Sequence, residues 1–447
     1  MHFLSSMRSL GPRYFALWVG QTISQFGTYI GVITIPLLVQ YIQQANSSEL
    51  STFQFAAVYA AETAPTLLVG LLGGVLLDRI QLRPVMITAD LVRASAFFYL
   101  AATADTLGVG SVFAMALIVG SMTTLFDASL YAMIPALVPK DRYSDANSFV
   151  TASIQANFAL GPLIGGVIAF AFATPAVGLY LNGITFLISA WSLKYVGRVA
   201  HRSGPAPPRA PYMEEFVAGM RRIWEEPRLR VSTISAAVPN FVMGFLEGTF
   251  IVMFTVVIGA QNESQIGILL FFMGLGGLIG ALTAPSVTRW AGLGRAMTGG
   301  LALAGVALLV FMFTNYGVIA WLLLAVFMFG VSVINIPLAS IRQLYAGENM
   351  LGRVISAARA IGWATLPIGA LIGGWLGNSE STYPWVARIF PLILLGCALW
   401  LFTTVLWDDT FGPEFKRGTG PEPDDADSST EQSPADEKPS RARHRRD

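Results

Sequence analysis

The sequence is poor in the residues that carry most chemistry. It holds one cysteine, Cys397, and three histidines, His2, His201 and His444. A lone thiol excludes an intrachain disulfide, and no histidine or cysteine cluster has metal-ligand spacing, so no metal site is expected. Cys397 sits in an apolar run with no evident base beside it, and no apolar run contains a histidine, which argues against a membrane-embedded acyltransferase or hydrolase. A G-x-x-x-x-G-K-[ST] loop is missing, and with it any sign of an ATP-driven motor; no cofactor is expected. Charge is scarce too. It makes up 12% of the 447 residues, against about 25% in soluble domains. A net charge of +1 without a basic arm before the first apolar run argues against nucleic acid as a partner.

What fills the chain is hydrocarbon. Hydrophobic residues reach 54% and the mean hydropathy is +0.59, which places the protein in a bilayer. A crossing needs about 20 apolar residues. Twelve candidate spans meet that requirement: 13–41, 53–77, 85–104, 109–137, 145–172, 176–197, 230–259, 265–289, 295–314, 317–345, 353–377 and 385–407. Arg8 and Arg13 lead straight into the first of them with no small-residue cleavage site, so that span is expected to stay.

Charge orients the spans. One set of connections carries Arg8, Arg13, Arg79, Arg83, Lys140, Arg142, a run from Lys194 to Arg230, Arg289, Arg295, Arg342 and Arg353. The opposite set carries Glu49, Asp105, Glu263 and Glu380, with Arg388 as its base. This basic end is expected to face the cytoplasm, together with both termini. The chain then divides into a cytoplasmic N-terminus (1–12), a six-helix bundle (13–199), a cytoplasmic linker (200–228), a second six-helix bundle (229–407) and a tail (408–447). The linker combines the breaker-rich SGPAPPRAP (Ser203–Pro211) with a stretch in which Tyr212, Phe216, Met220, Ile223 and Trp224 recur at helical spacing, the pattern of an amphipathic helix on the membrane surface. From Asp408 onward lie 11 of the 27 acids and 7 of the 28 bases, without apolar periodicity, so the tail is expected to be disordered.

The two halves echo one another. Gly161-Pro162-Leu163-Ile164-Gly165-Gly166 in span 5 matches Gly369-Ala370-Leu371-Ile372-Gly373-Gly374 in span 11, an offset of 208. Related halves place a cavity at their interface near the bilayer midplane, and rocking one against the other exposes it to each side in turn.

The stretch GGVLLDRIQLRPVM, from Gly73, packs Asp78, Arg79 and Arg83 into one turn between spans 2 and 3. It resembles the G-x-x-x-D-R-x-x-R-R loop of the major facilitator superfamily, incompletely at the closing arginine pair. Gly161-Pro162-x-x-Gly165-Gly166 resembles the helix-5 motif of drug:proton antiporters. LWVGQTISQFGTYIGVITIPLLV (from Leu17), IPALVPKDRYSDANSF (from Ile134) and GRVISAARAIGWATLPIGALIGGWLG (from Gly352) resemble the branch of enterobactin exporter-like and macrolide efflux-like permeases, over residues 10–407. The resemblance implies an all-α membrane protein of twelve helices in two pseudo-symmetric bundles, a monomer in the inner membrane of a bacterial cell. It also implies a gate in which Asp78 meets the N-terminal end of span 11, near Arg353 and Arg359.

An ionisable group within hydrocarbon is a functional candidate by default. Three acids qualify as proton carriers: Asp127 in span 4, Glu62 in span 2 and Glu247 in span 7. The resemblance favours Asp127, because helix 4 lines the superfamily's cavity; the alternative is that Asp127 braces the turn between spans 4 and 5. Many relatives carry an acid in helix 1 where this chain has Thr28, which shifts weight to the other three. Asp90 and Arg93 are expected to form a structural pair. Polar and aromatic candidates for the cavity wall are Gln21, Gln25, Thr28, Thr124, Tyr131, Asn240, Phe241, Asn335 and Trp363. The reading is a transporter and not an enzyme: an efflux antiporter exchanging amphipathic small molecules, such as drugs or siderophores, for protons by alternating access. A transporter of lysophospholipid or other lipid, and a transporter-like sensor or scaffold, are its alternatives.

Overall fold

In hydrocarbon each backbone N–H and C=O must be satisfied within its own segment, so apolar runs of this length fold as helices. The computed structural model describes residues 10–45, 51–66, 81–139, 142–172, 174–197, 212–347, 350–379 and 381–404. The N-terminal half holds α1 (Pro12–Ala45), α2 (Thr52–Thr63), α3 (Leu82–Ala102), α4 (Val109–Leu137), α5 (Tyr143–Phe172) and α6 (Ala176–Val196). A linker helix follows, α7 (Tyr212–Glu225). The C-terminal half holds α8 (Pro227–Val252), which runs into a π-turn at Met253–Val257, then α9 (Glu263–Ala291), α10 (Leu293–Phe311), α11 (Val318–Val333), α12 (Asn335–Tyr345), α13 (Leu351–Leu376) and α14 (Tyr383–Phe402).

Among the described residues, eleven segments are long and apolar enough to cross a membrane. The second expected crossing is described only from Ser51 to Thr66. Residues 67–80 lie outside the described residues, and with them Asp78 and Arg79, as does the tail from residue 405. Span 10 is built in two pieces. Pro337 has no N–H to offer the Val333 carbonyl, and the helix breaks at Ile334 between α11 and α12.

The linker helix docks on its own half. Glu215 pairs with Arg353 at 3.3 Å, the Arg222 guanidinium donates to the Tyr345 carbonyl at 2.8 Å, and Gly219 lies against the Arg353 carbonyl. Ile223 is buried, whereas Trp224, expected on the same face, is 51% exposed beside Met213 and Val217. The apolar spacing identified the helix; its docked face follows from where α13 stands.

The glycine repeat shows how the halves fit. In α5, Gly161 and Gly165 face Tyr29 and Ile30 of α1, while Gly166 faces Glu263 and Gly267 of α9. In α13, Gly369 and Gly373 face Phe241 and Phe245 of α8, while Gly374 faces Thr52 and Ala56 of α2. Each G-x-x-x-G-G segment thus presses two glycines on the first helix of its own half and the third on the second helix of the other half. Small residues let helix backbones approach closely in this way. A hydrogen bond repeats with its donor at the same offset: Asn157 of α5 donates to the Thr22 carbonyl at 2.9 Å, and Thr365 of α13 to the Ala237 carbonyl at 3.0 Å. The halves also join at the acidic end, where Asn378 Oδ1 accepts from the Ser51 hydroxyl at 2.9 Å and the Phe53 amide at 3.2 Å.

A valine at Gly166 or Gly374 would run its side chain into the backbone of the opposite half. Overpacking costs about 1–3 kcal/mol, enough to shift a two-state equilibrium by roughly tenfold. Either substitution is expected to open the acidic end, speeding labelling of a cysteine placed at Thr63 by an impermeant maleimide added on that side.

Candidate functional site

Between the halves lies a cavity of about 840 Å³. Its wall comes from α1, α2, α4 and α5 on one side and from α8, its π-turn, α9, α11 and α13 on the other; among the described residues, α3, α6, α10 and α14 contribute nothing. The inner helices of each half carry the wall and the others back them. Pro36 and Pro162 line it as well, where a missing N–H interrupts the ladder of α1 and α5.

All three candidate acids face this space. Glu62, Asp127 and Glu247 are on the wall, and none makes a salt bridge among the described residues. The Tyr59 hydroxyl of α2 donates to Glu247 Oε2 of α8, a hydrogen bond that crosses between the halves. Glu62, one turn beyond Tyr59, lies within electrostatic reach of Glu247. Toward the basic end, Arg359 stacks its guanidinium on the Trp363 ring at 5.0 Å and lies within electrostatic reach of Asp127. It is the single base among the described lining residues.

The polar and aromatic candidates divide. Gln25, Thr124, Tyr131 and Trp363 line the cavity. Thr124 stands 3.2 Å from the Thr66 hydroxyl. Gln21 is buried away from the wall, and neither end of its amide has a partner among the described residues. The Thr28 hydroxyl donates to the Ser24 carbonyl at 3.1 Å, satisfied within its own helix. Asn240 donates to the Gly362 carbonyl at 3.0 Å and so ties α8 to α13. Phe241 stacks on Phe390 at 5.6 Å, and Asn335 donates to the Ser332 carbonyl at 3.3 Å beside the helix break. These five residues stand off the cavity wall, within or between the helices. Tyr29, Tyr59, Thr66 and Phe158 line it although sequence reasoning passed over them. For Tyr59 and Thr66 a signal existed: with Glu62 and Thr63 they make a polar strip at helical spacing along span 2.

The gate residues are partly described. Arg83 donates to the Leu193 carbonyl at 2.8 Å and the Lys194 carbonyl at 3.4 Å, closing the C-terminal end of α6 within its own half. Arg359 stands on the cavity wall. Asp78 and Arg79 fall outside the described residues.

Asp90 and Arg93 pair as expected, with side chains 0% and 3% exposed. The guanidinium is held between the Phe126 and Phe186 rings at 4.6 and 4.2 Å. This pair brings α3, α4 and α6 together behind Asp127. Breaking a buried pair leaves one charge uncompensated, at a cost of about 3–5 kcal/mol. Arg93→Met is therefore expected to lower the thermal unfolding temperature of the purified protein sharply, and adding Asp90→Leu to recover most of the loss.

A family model described as Major Facilitator Superfamily matches residues 17–367. The chain is 25% identical over 399 residues to the multidrug efflux pump Tap of Mycolicibacterium fortuitum, covering 86% of this chain and 94% of the relative. It is 23% identical over 413 residues to the enterobactin exporter EntS of Escherichia coli O1:K1, covering 89% and 93%. Among solved structures, the nucleoside transporter NupG superposes with a TM-score of 0.69 at 12% identity, covering 89% of this chain and 100% of the other.

Proposed function

The chain belongs to the major facilitator superfamily, a multi-pass membrane transporter of small molecules, and on that premise we propose that it exports amphipathic compounds in exchange for protons. The observation that carries the proposal is the cavity between the halves, whose wall holds three carboxyls without salt bridges among the described residues. A carboxyl in hydrocarbon is costly and is a functional candidate by default, and one that faces a water-filled cavity can gain a proton from one side and release it to the other. Glu62 and Glu247 come from opposite halves, so movement of the halves changes their surroundings together. Aromatic neighbours such as Tyr29, Phe158 and Trp363 offer apolar area for a bulky ligand.

Export, as the direction, rests on the likeness to Tap and EntS, whose names describe an efflux pump and an exporter. The basic end then faces the cytoplasm, and the glycine contacts of Gly166 and Gly374 close the outer side. Rocking about the cavity would move the ligand outward and the proton inward.

Reconstituted into liposomes, the protein is expected to drive ethidium or a siderophore against its gradient when a proton gradient is imposed, and to stop when an uncoupler is added. The triple variant Glu62→Gln, Asp127→Asn, Glu247→Gln should lose this response. Transport that continues unchanged after the gradient is collapsed contradicts the proposal.

A further inference from the structure

The charges on and behind the cavity wall are not evenly spread. Glu62 is ten residues in from Thr52, where α2 begins at the acidic end, and Glu247 is ten residues back from Val257, where the π-turn ends. Arg359 is eight residues in from Leu351, where α13 begins at the basic end. At roughly 1.5 Å per residue, the carboxyl pair and the guanidinium stand on the order of 10–15 Å apart along the helix axes.

Neither pole is neutral by itself. At the acidic pole the Tyr59 hydroxyl answers two carboxyls, donating to Glu247, and no base on the described wall stands with them. Tyr29 lies within electrostatic reach of Glu247 and of Asp127, and brings no positive charge. Toward the basic pole Arg359 is the one guanidinium on the described wall, and Asp127 answers Arg93 behind it as well as Arg359. Arg359 lies within reach of Asp127, and Arg342 of α12 stands close enough to Arg359 to feel its charge. Arg342 Nε is buried without a hydrogen-bond partner among the described residues. Asp90 does not correct the balance, since it is already paired with Arg93.

A cavity whose described wall carries acids without a base at one end and a base at the other favours a ligand that brings the opposite charge to each. We infer that this cavity takes zwitterionic amphiphiles, with an ammonium between Glu62 and Glu247 and a carboxylate or phosphate at Arg359. The apolar body of such a ligand spans the aromatic middle of the cavity. This inference rests on the transporter reading and narrows its substrate class. The ammonium sits where the proton would, so ligand and proton exclude one another at the same carboxyls. Arg359 acts from the other pole as a specificity-determining residue, with Trp363 fixing the plane of its guanidinium.

The test is a binding measurement that needs no transport. The full-length protein in nanodiscs of zwitterionic lipid is titrated calorimetrically with 8-aminooctanoate, octylamine and octanoate, with empty nanodiscs as the baseline. The doubly charged probe is expected to bind roughly tenfold tighter than either singly charged one, the scale of one charge-assisted contact. Glu62→Gln with Glu247→Gln should remove its advantage over octanoate. Arg359→Gln should remove its advantage over octylamine, while Arg359→Lys keeps part of it. Octylamine or octanoate binding as tightly as 8-aminooctanoate overturns the inference, and so does the absence of binding by all three. If this pattern holds while gradient-driven flux fails, the proton-exchange reading falls and the zwitterion site stands; the reverse result separates them the other way.

Discussion

Backbone contact through glycine is the constraint on which the rest of the structure depends. Lipid tails are as apolar as leucine, so helices in a bilayer gain little from burying apolar side chains against each other and associate through close packing and hydrogen bonds. Gly166 against Gly267, and Gly374 against Ala56, let α5 meet α9 and α2 meet α13 with almost no side chain between them. These contacts join the halves at a few small residues and leave the space beside them open. Larger residues at the seam would either fill the cavity or hold the halves apart. The remaining glycines of the repeat, against α1 and α8, keep each half together.

Electrostatics then separates the charges buried within the bundle from those on the cavity wall. Hydrocarbon tolerates an ion that is paired or that faces water. Asp90 and Arg93 meet the first condition behind the wall, between two phenylalanine rings. Glu62, Asp127, Glu247 and Arg359 meet the second on the wall. The bundle therefore keeps its buried ion pair off the wall and sets these four charges on it. The Tyr59–Glu247 hydrogen bond belongs to both roles, since it joins the halves and occupies one of the wall's carboxyls.

Much of this was legible in the sequence. Apolar run length identified the spans, because the bilayer sets a length that few other environments impose. The GxxxGG repeat at an offset of 208 revealed the related halves, and the asymmetry of lysine and arginine separated their ends. The acids on the wall were legible because a charge in an apolar run stands out by itself. Neutral side chains were harder. Asn240 and Gln25 are both polar residues of inner helices, and only the placement of Gly362 on α13 turns Asn240 into a tie between helices. Thr28 satisfies its hydroxyl on its own helix, a choice that composition cannot reveal. The face of α7 was half legible: spacing located the helix, but its docked side depends on Arg353 and on the carbonyls that end α12.

The central claim is that two halves move as bodies about the cavity, opening one end as the other closes. Double electron–electron resonance on one reconstituted preparation tests it most directly, with one spin-label pair at Thr106 and Ser381 for the acidic end and another at Asn147 and Trp290 for the basic end. When the pH is lowered or a transported compound is added, the distance of one pair should lengthen in the same fraction of molecules in which the other shortens. Distances that stay fixed, or that lengthen together, contradict alternating exposure.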